Sequence, residues 1–401
     1  REVAEADTTG SVSGELAVFR ALIAAYQGEG RECAEQASRA LELLPEDRLF
    51  FRSLVAGLVA LDRLYRGDIQ PARRAFEEAV RVSQQAGNVM NAVLALCHLA
   101  ELSVLQGQLR EARAFYEQAL GMATDAQGRR QPVAGMALMG LANLLREWND
   151  LQTALSYVTE GIALTKRWAL AGAGPGYRCL AHVKQALGDE EGAQEAIRTA
   201  QHLARRFDAM DLDDTLADTS QALLWIAQGN LEAAGRWAGQ RELEIGHSAG
   251  GPERDVGSPF PLFRAIERVA LVNVRLAQGE VDEALAVLGP LLEVAEAAGW
   301  VWLVIEYLAL RSLALRARDD LPRALTSLER ALSLAELGGF VRSFADKGPP
   351  MARLLYEAST HGIAPVYVGR LLAALSAPAP APPAKKPRTD MVEPLSAREL
   401  E

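Results

Sequence analysis

The sequence predicts an all-α fold, a superhelix of about eight stacked helical hairpins closed by a short helical cap. Three observations predict it. First, eight alanines (Ala34, Ala72, Ala112, Ala154, Ala193, Ala234, Ala284 and Ala324) recur in one local phrase, at separations of 38, 40, 42, 39, 41, 50 and 40 residues. Self-similarity at such a period signals small supersecondary units that bury their apolar faces by stacking. Second, the chain is 49% hydrophobic but only 6% aromatic, and it is rich in Ala and Leu, a composition that favours helix. Third, apolar residues follow a helical period, as in the broad face formed by Leu94, Cys97, Leu99, Leu102 and Leu105. A single compact core of 401 residues would be unusual, whereas a quasi-one-dimensional stack, in which each repeat packs on its neighbours, avoids that limit.

Each hairpin reads helix A, tight turn, helix B. The phrase is clearest at Gly67-Asp-Ile-Gln-Pro-Ala72, Gly107-Gln-Leu-Arg-Glu-Ala112, Gly229-Asn-Leu-Glu-Ala-Ala234 and Gly279-Glu-Val-Asp-Glu-Ala284. Asn149 and Asp319 stand where the other turns carry glycine. In the third hairpin, helix A is expected over about 88–105, Gly107 supplies a left-handed cap, Leu109 anchors the turn, and helix B follows over about 109–123. A second alanine seven residues after the first (Ala72/Ala79, Ala112/Ala119, Ala193/Ala200, Ala324/Ala331) falls on the same side of helix B and lets the two helices approach closely. Helix A carries a small residue seven before the turn position, at Ala60, Ala100, Ala142, Ala181 and Ala222. This pattern is similar to the tetratricopeptide repeat, which implies a right-handed superhelix. The period near 40 exceeds the usual 34 and implies longer helices. HEAT repeats share the length but lack the phrase.

Two segments break the rhythm. Residues 246–262 are rich in Gly and Pro and read as a loop inserted between the sixth and seventh hairpins, which accounts for the separation of 50. Residues 169–176 read as a shorter Gly-rich turn. The solenoid is expected over 1–337 and the cap over 338–375, with closing helices at 351–358 and 363–375. A Pro-rich linker with six prolines follows over 376–394 and contains Lys385, Lys386 and Arg388. A new element opens at 395–401.

The net charge is −10 and the pI about 5.3, a poor match to a phosphate backbone. Cys33, Cys97 and Cys179 lie in three different repeats without a CxxC pair, and they read as reduced, buried thiols of a cytoplasmic protein. No apolar run approaches the ~18 residues that a membrane span needs, and the start at Arg1 reads as an internal cut. His98, His182, His202, His247 and His361 have no metal-ligand spacing. Asp211, Asp213 and Asp214 read as a helix start that complements the dipole. There is no Gly-x-Ser-x-Gly elbow and no Gly-x-x-x-x-Gly-Lys phosphate loop, so neither an enzyme nor a cofactor in this chain is expected.

What remains is binding. In stacks of this type the A helices line the hollow side. Counting back from each turn places Glu101, Asn143, Arg146, Arg178, His182, Gln185, Thr219 and Asn273 there, beside Met136 and Met139. Such a set suits a neutral polar ligand through amide, imidazole and guanidinium donors near apolar surface. It also suits an anionic peptide tail through Arg146 and Arg178.

The C-terminal residues carry a further signal. Leu395, Ser396, Arg398, Glu399 and Glu401 resemble the opening of a LuxR-type helix-turn-helix, with Ser396 and Glu399 spaced as a capping box. Before the linker, Gly339-Phe-Val-Arg-Ser-Phe-Ala-Asp-Lys-Gly-Pro-Pro-Met351 and His361-Gly-Ile-Ala-Pro-Val-Tyr-Val-Gly-Arg-Leu-Leu372 resemble the end of the effector domain in large ATP-dependent, MalT-like LuxR-family regulators, and Glu306 fits as well. The resemblance covers essentially the whole chain and is specific in about its last 70 residues. It implies an effector-sensing region that binds a small inducer or a regulatory protein. It also implies that ATP hydrolysis and DNA binding belong to NTPase and helix-turn-helix parts of a longer protein. A constitutive scaffold for protein segments is the alternative.

Overall fold

The computed structural model describes residues 2–26, 29–206, 211–247 and 261–376. They form eight antiparallel helical hairpins and a cap, with no strand longer than an isolated bridge among the described residues. The hairpins are α1 (Glu2–Tyr26) with α2 (Gly30–Leu43), α3 (Leu49–Tyr65) with α4 (Ile69–Gln85), α5 (Val89–Leu105) with α6 (Leu109–Met122), and α7 (Ala134–Glu147) with α8 (Leu151–Thr165). The second four are α9 (Gly174–Ala186) with α10 (Glu190–Arg206), α11 (Asp211–Ala227) with α12 (Leu231–His247), α13 (Pro261–Gln278) with α14 (Val281–Ala298), and α15 (Val301–Ala317) with α16 (Leu321–Gly338). The cap is α17 (Arg342–Ala345), α18 (Gly348–Thr360) and α19 (Pro365–Ser376).

The turns explain the phrase. At each, the amide three residues past the end of helix A bonds back to that helix, as in Asp68 N to Arg63 O (3.0 Å), Gln108 N to Ser103 O (2.8 Å) and Asp320 N to Leu315 O (3.0 Å). This closure needs one left-handed residue. Gly107 supplies it at φ 76°, and Asn149 and Asp319 supply it at 66° and 59°, as the variant phrases predict. Asn and Asp tolerate this region better than other side chains do. The paired alanines of helix B are 0–1% exposed, as are the small residues of helix A, and their lack of side-chain bulk sets the close helix approach.

The first phrase is displaced by one residue. Ala34 is only half-buried, and Cys33 takes the place that Ala72 and Ala112 hold in the later hairpins. The Cys33 amide bonds to Glu29 O as Ala72 N bonds to Asp68 O, and Cys33 pairs with the buried Ala40 seven residues on. A thiol and a methyl are both small enough for the contact. The inserted loop is also shorter at both ends, because Gly246 and His247 belong to α12 while Pro261 and Leu262 open α13. Residues 248–260 lie outside the described ones, as do the linker and the 395–401 segment. The Gly-rich turn at 169–176 holds a single 3-10 turn (Ala171–Ala173) and the start of α9, with Pro175 in its first turn, where a missing N–H costs nothing.

The stack does not pack on neighbours alone. After six hairpins the superhelix returns, and α13, α15 and the cap pack against α3, α5 and α7. One continuous core therefore joins residues from Ala60 to Leu144 with residues from Leu262 to Leu371, while α1–α2 and α8–α12 keep smaller cores of their own. Trp300 abuts Gly67, Val301 abuts Gly107, and Trp148 Nε1 donates to Gly338 O (2.9 Å). α15 is the pivot. Eight consecutive residues, Leu303 to Leu310, are all buried, which accounts for a helix apolar on nearly every side.

Candidate functional site

Where the chain returns, its two arms border an open cavity of about 430 Å³. One wall comes from α5 and α7 (Cys97, Glu101, Val104, Met136, Met139, Asn143), with Tyr116 from α6. The opposite wall comes from α13 and α15 (Phe263, Ile266, Trp302), and Phe340, between α16 and α17, closes one side. The lining is mainly apolar and aromatic. Its polar groups are Glu101, Asn143, Arg146 and Glu147, so a few directional groups face a hydrophobic lining, the usual make-up of a small-molecule site.

Three of the eight residues read from the sequence meet here. Glu101 and Asn143 are exposed to the cavity, and His98 Nδ1 lies 2.9 Å from Glu101 Oε2 while its ring stacks on Phe76. Arg146 reaches across to Asp346 just after α17, and Arg342 pairs with the same carboxylate. Arg178 and His182, on α9, do not line the cavity, although His182 lies near enough to Arg146 to feel its charge. The remaining three are committed elsewhere. Gln185 Oε1 accepts from Gln228 Nε2 (2.6 Å), which ties α9 to α11. Thr219 is buried and donates to Thr215 O, and Asn273 donates to Val269 O, each within its own helix.

Burial and charge set the protonation of the cluster. Burial pushes the Glu147 carboxyl up to about 7, although Arg146 pulls the other way. Its Oε1 accepts from the amides of Val341 (3.1 Å) and Ser343 (2.9 Å). Burial, with the Arg146 charge, drives His182 down to about 3, so its imidazole is neutral at physiological pH. Burial works against ionised Asp346 too, but Arg146 and Arg342 outweigh it and hold its carboxyl below the ordinary range. Burial drives the Cys179 thiol up to about 12, and Cys33 and Cys97 are also buried and raised by burial, as expected of inert structural thiols. No group of three His, Cys, Asp or Glu among the described residues is arranged to hold a metal ion.

Reading the sequence missed Glu147 at the end of α7 and the partners that the returning arm of the superhelix brings to it. Arg342, Asp346 and Lys347 lie in the 339–351 segment, which is read above for its family resemblance and not for its pairing, and Glu147 carries no signal. Glu306, read above only for its fit to the family, carries a signal that could have found its partner, because it is a lone acid inside the apolar run Val301 to Leu310. A charge in such a run needs a buried partner, and Lys347 Nζ supplies it at 2.7 Å.

The MalT-like TPR region family matches residues 14–361. The chain belongs to that family. Among curated relatives, it is 23% identical over 356 residues to the HTH-type transcriptional regulator MalT of Serratia proteamaculans and 23% identical over 348 residues to that of Vibrio cholerae. These alignments cover 88% and 85% of this chain but only 38% and 37% of the relatives, so it spans well under half of their length. Among solved structures, a Rap protein complexed with Competence and Sporulation Factor superposes with a TM-score of 0.55 at 13% identity, covering 76% of this chain and 80% of that one. That likeness shows the fold. The MalT-like chain is thus a helical-repeat region of the sensing and interaction class. No helix among its described residues is long and apolar enough to cross a membrane.

Proposed function

We propose that this MalT-like region is the effector-sensing part of a LuxR-type transcription regulator and that a small effector occupies the cavity between the two arms. The observation that carries the reading is that both arms of the superhelix contribute wall to one apolar chamber with polar groups at Glu101, Asn143 and Arg146. An effector there touches sequence-distant hairpins at once, so it favours one arrangement of the solenoid over others. By this reading ATP hydrolysis and DNA recognition belong to NTPase and helix-turn-helix parts of a longer cytoplasmic protein, and this chain needs no cofactor of its own. The Rap protein, which shares the fold, is complexed with a factor of its own, in keeping with a solenoid that holds an effector. A constitutive scaffold is less well supported, because an extended partner segment would need the hollow side that α13, α15 and Phe340 fill.

The test is calorimetry against a panel of polar metabolites, with wild type and an Asn143→Ala, Glu101→Gln variant. Binding by wild type, weakened at least tenfold in the variant (about 1.4 kcal/mol), supports the cavity. Equal affinity in both moves the site elsewhere. A protein segment retained by both without added metabolite favours the scaffold.

A further inference from the structure

The cavity shares its polar wall with a second structure. The chain leaves α16 at Gly338, which lies so close to the turn after α5 that an added Cβ would meet Gly107 O at 2.8 Å. It then runs along the end of α7 to Lys347. On this path Gly338 O accepts from Trp148 Nε1, Val341 N donates to both the carbonyl and the carboxylate of Glu147, and Ser343 N donates to that carboxylate. Arg342 donates to Asn149 Oδ1 (3.2 Å), and Asp346 pairs with Arg146. The segment is thus fastened to four consecutive residues, Arg146 to Asn149, some 190 to 200 positions earlier in the chain. Lys347 fastens its far end to Glu306 on α15. Arg146 and Glu147 also line the cavity, and Phe340, inside the segment, forms part of its wall.

We propose that residues 338–347 are a latch, and that closure of the latch and occupancy of the cavity favour each other. The proposal rests on the sensing reading above and adds its moving part. The argument is one of linkage. Phe340 is a wall only while the segment is docked, so an occupant that packs on Phe340 gains contacts in the closed form alone. A ligand with differential affinity for one state shifts the equilibrium toward it, and the coupling is reciprocal. The polar fastening sits at one helix end, while Phe340, Val341 and Phe344 of the same segment pack in the main core. Opening the latch therefore breaks both the polar contacts and this apolar docking, as a local unit of the fold that leaves the hairpins stacked. α18 and α19 follow directly, so opening the latch changes how the C-terminal end of the region is held.

Amide hydrogen exchange on the whole chain tests both halves. Asp346→Asn keeps the shape and removes the charge that holds Arg146. It is expected to speed exchange over 338–347 at least tenfold while α9–α12 exchange at the wild-type rate; Arg353→Ala, at an exposed position in α18, is the control. Val104→Phe from one wall, or Ile266→Phe from the other, acts as a tethered occupant. Either is expected to slow exchange of the Val341 and Ser343 amides severalfold. Unchanged exchange over 338–347 in Asp346→Asn, or acceleration spread evenly over the molecule, would overturn the latch. Filled cavities that leave Val341 and Ser343 unaffected would overturn the coupling. Failure of every metabolite to bind would sink the sensing reading while leaving the exchange results to decide the latch.

Discussion

At Ala112 the side chain is fully buried between α5 and α6, and the position has no room for a larger group. Ala112→Leu is expected to cost about 1–3 kcal/mol by overpacking, read as a lower midpoint in urea unfolding, whereas a larger residue at the half-buried Ala34 should cost less. Glu147 is a different residue-scale case. Its carboxyl titrates near 7 in the folded protein and lower when unfolded, because burial disfavours the charge. The native state therefore binds the proton more tightly. The associated stability is present at acid pH and is lost as pH rises through about 7. Glu147→Gln keeps an acceptor for the Val341 and Ser343 amides without the charge. Its melting temperature should rise relative to wild type between pH 5 and pH 8, and a difference independent of pH would show that the carboxylate is solvated. His182 runs the other way. Its depressed value means that the fold holds it neutral, so it contributes to acid destabilisation below its ordinary titration range.

Single helices are held by their ends as much as by their faces. α5 begins at a buried cap, where Asn88 Oδ1 accepts from Asn91 N (3.2 Å) and Asn88 Nδ2 donates to Ser53 (3.1 Å). Asn91 donates in turn to Ser53 O (2.8 Å) and Ser83 (2.7 Å), so one polar knot joins α3, α4 and α5. Asn88→Ala removes a cap and leaves Ser53 without its donor, at an expected cost of about 1–2 kcal/mol. The loss should be visible by denaturant titration. A change under a few tenths would mean that water replaces the amide. The helices were legible because caps, turn glycines and paired alanines are local. The boundaries predicted for α5 and α6 differ from those found by one residue at most. The first phrase slipped because Cys33 and Ala34 are both small and adjacent, and only burial distinguishes them.

At the scale of the whole molecule, the returning arm of the superhelix packs on the outgoing one through α13, α15 and α17 against α3, α5 and α7. Two glycines report on that contact. Gly67 and Gly229 occupy equivalent left-handed turn positions, at φ 79° and 74°. A Cβ on Gly229 meets nothing within 4 Å, whereas one on Gly67 would meet Trp300 Cζ2 at 2.6 Å. Both alanine variants pay the left-handed strain, about 1–2 kcal/mol, but only Gly67→Ala also pushes α15 away. It is expected to be less stable than Gly229→Ala by a further ~1–3 kcal/mol and to show a larger radius of gyration by X-ray scattering. Equal effects would mean that the arms yield freely.

Glu101 and Asn143 were recognisable as inward-facing because each lies six residues before its turn residue, a relation contained within one hairpin, but the same offset also gave His182 and Asn273, which do not line the cavity. The number of hairpins, their turns and their family pattern follow from the same short-range regularity. Asp346, Arg342 and Phe340 were not recognisable, because their roles depend on how far the superhelix has curved when the eighth hairpin arrives. That curvature is the sum of small rotations between packed neighbours. No residue encodes it singly, so the cavity and the fastening of residues 338–347 emerge only when all eight hairpins are stacked.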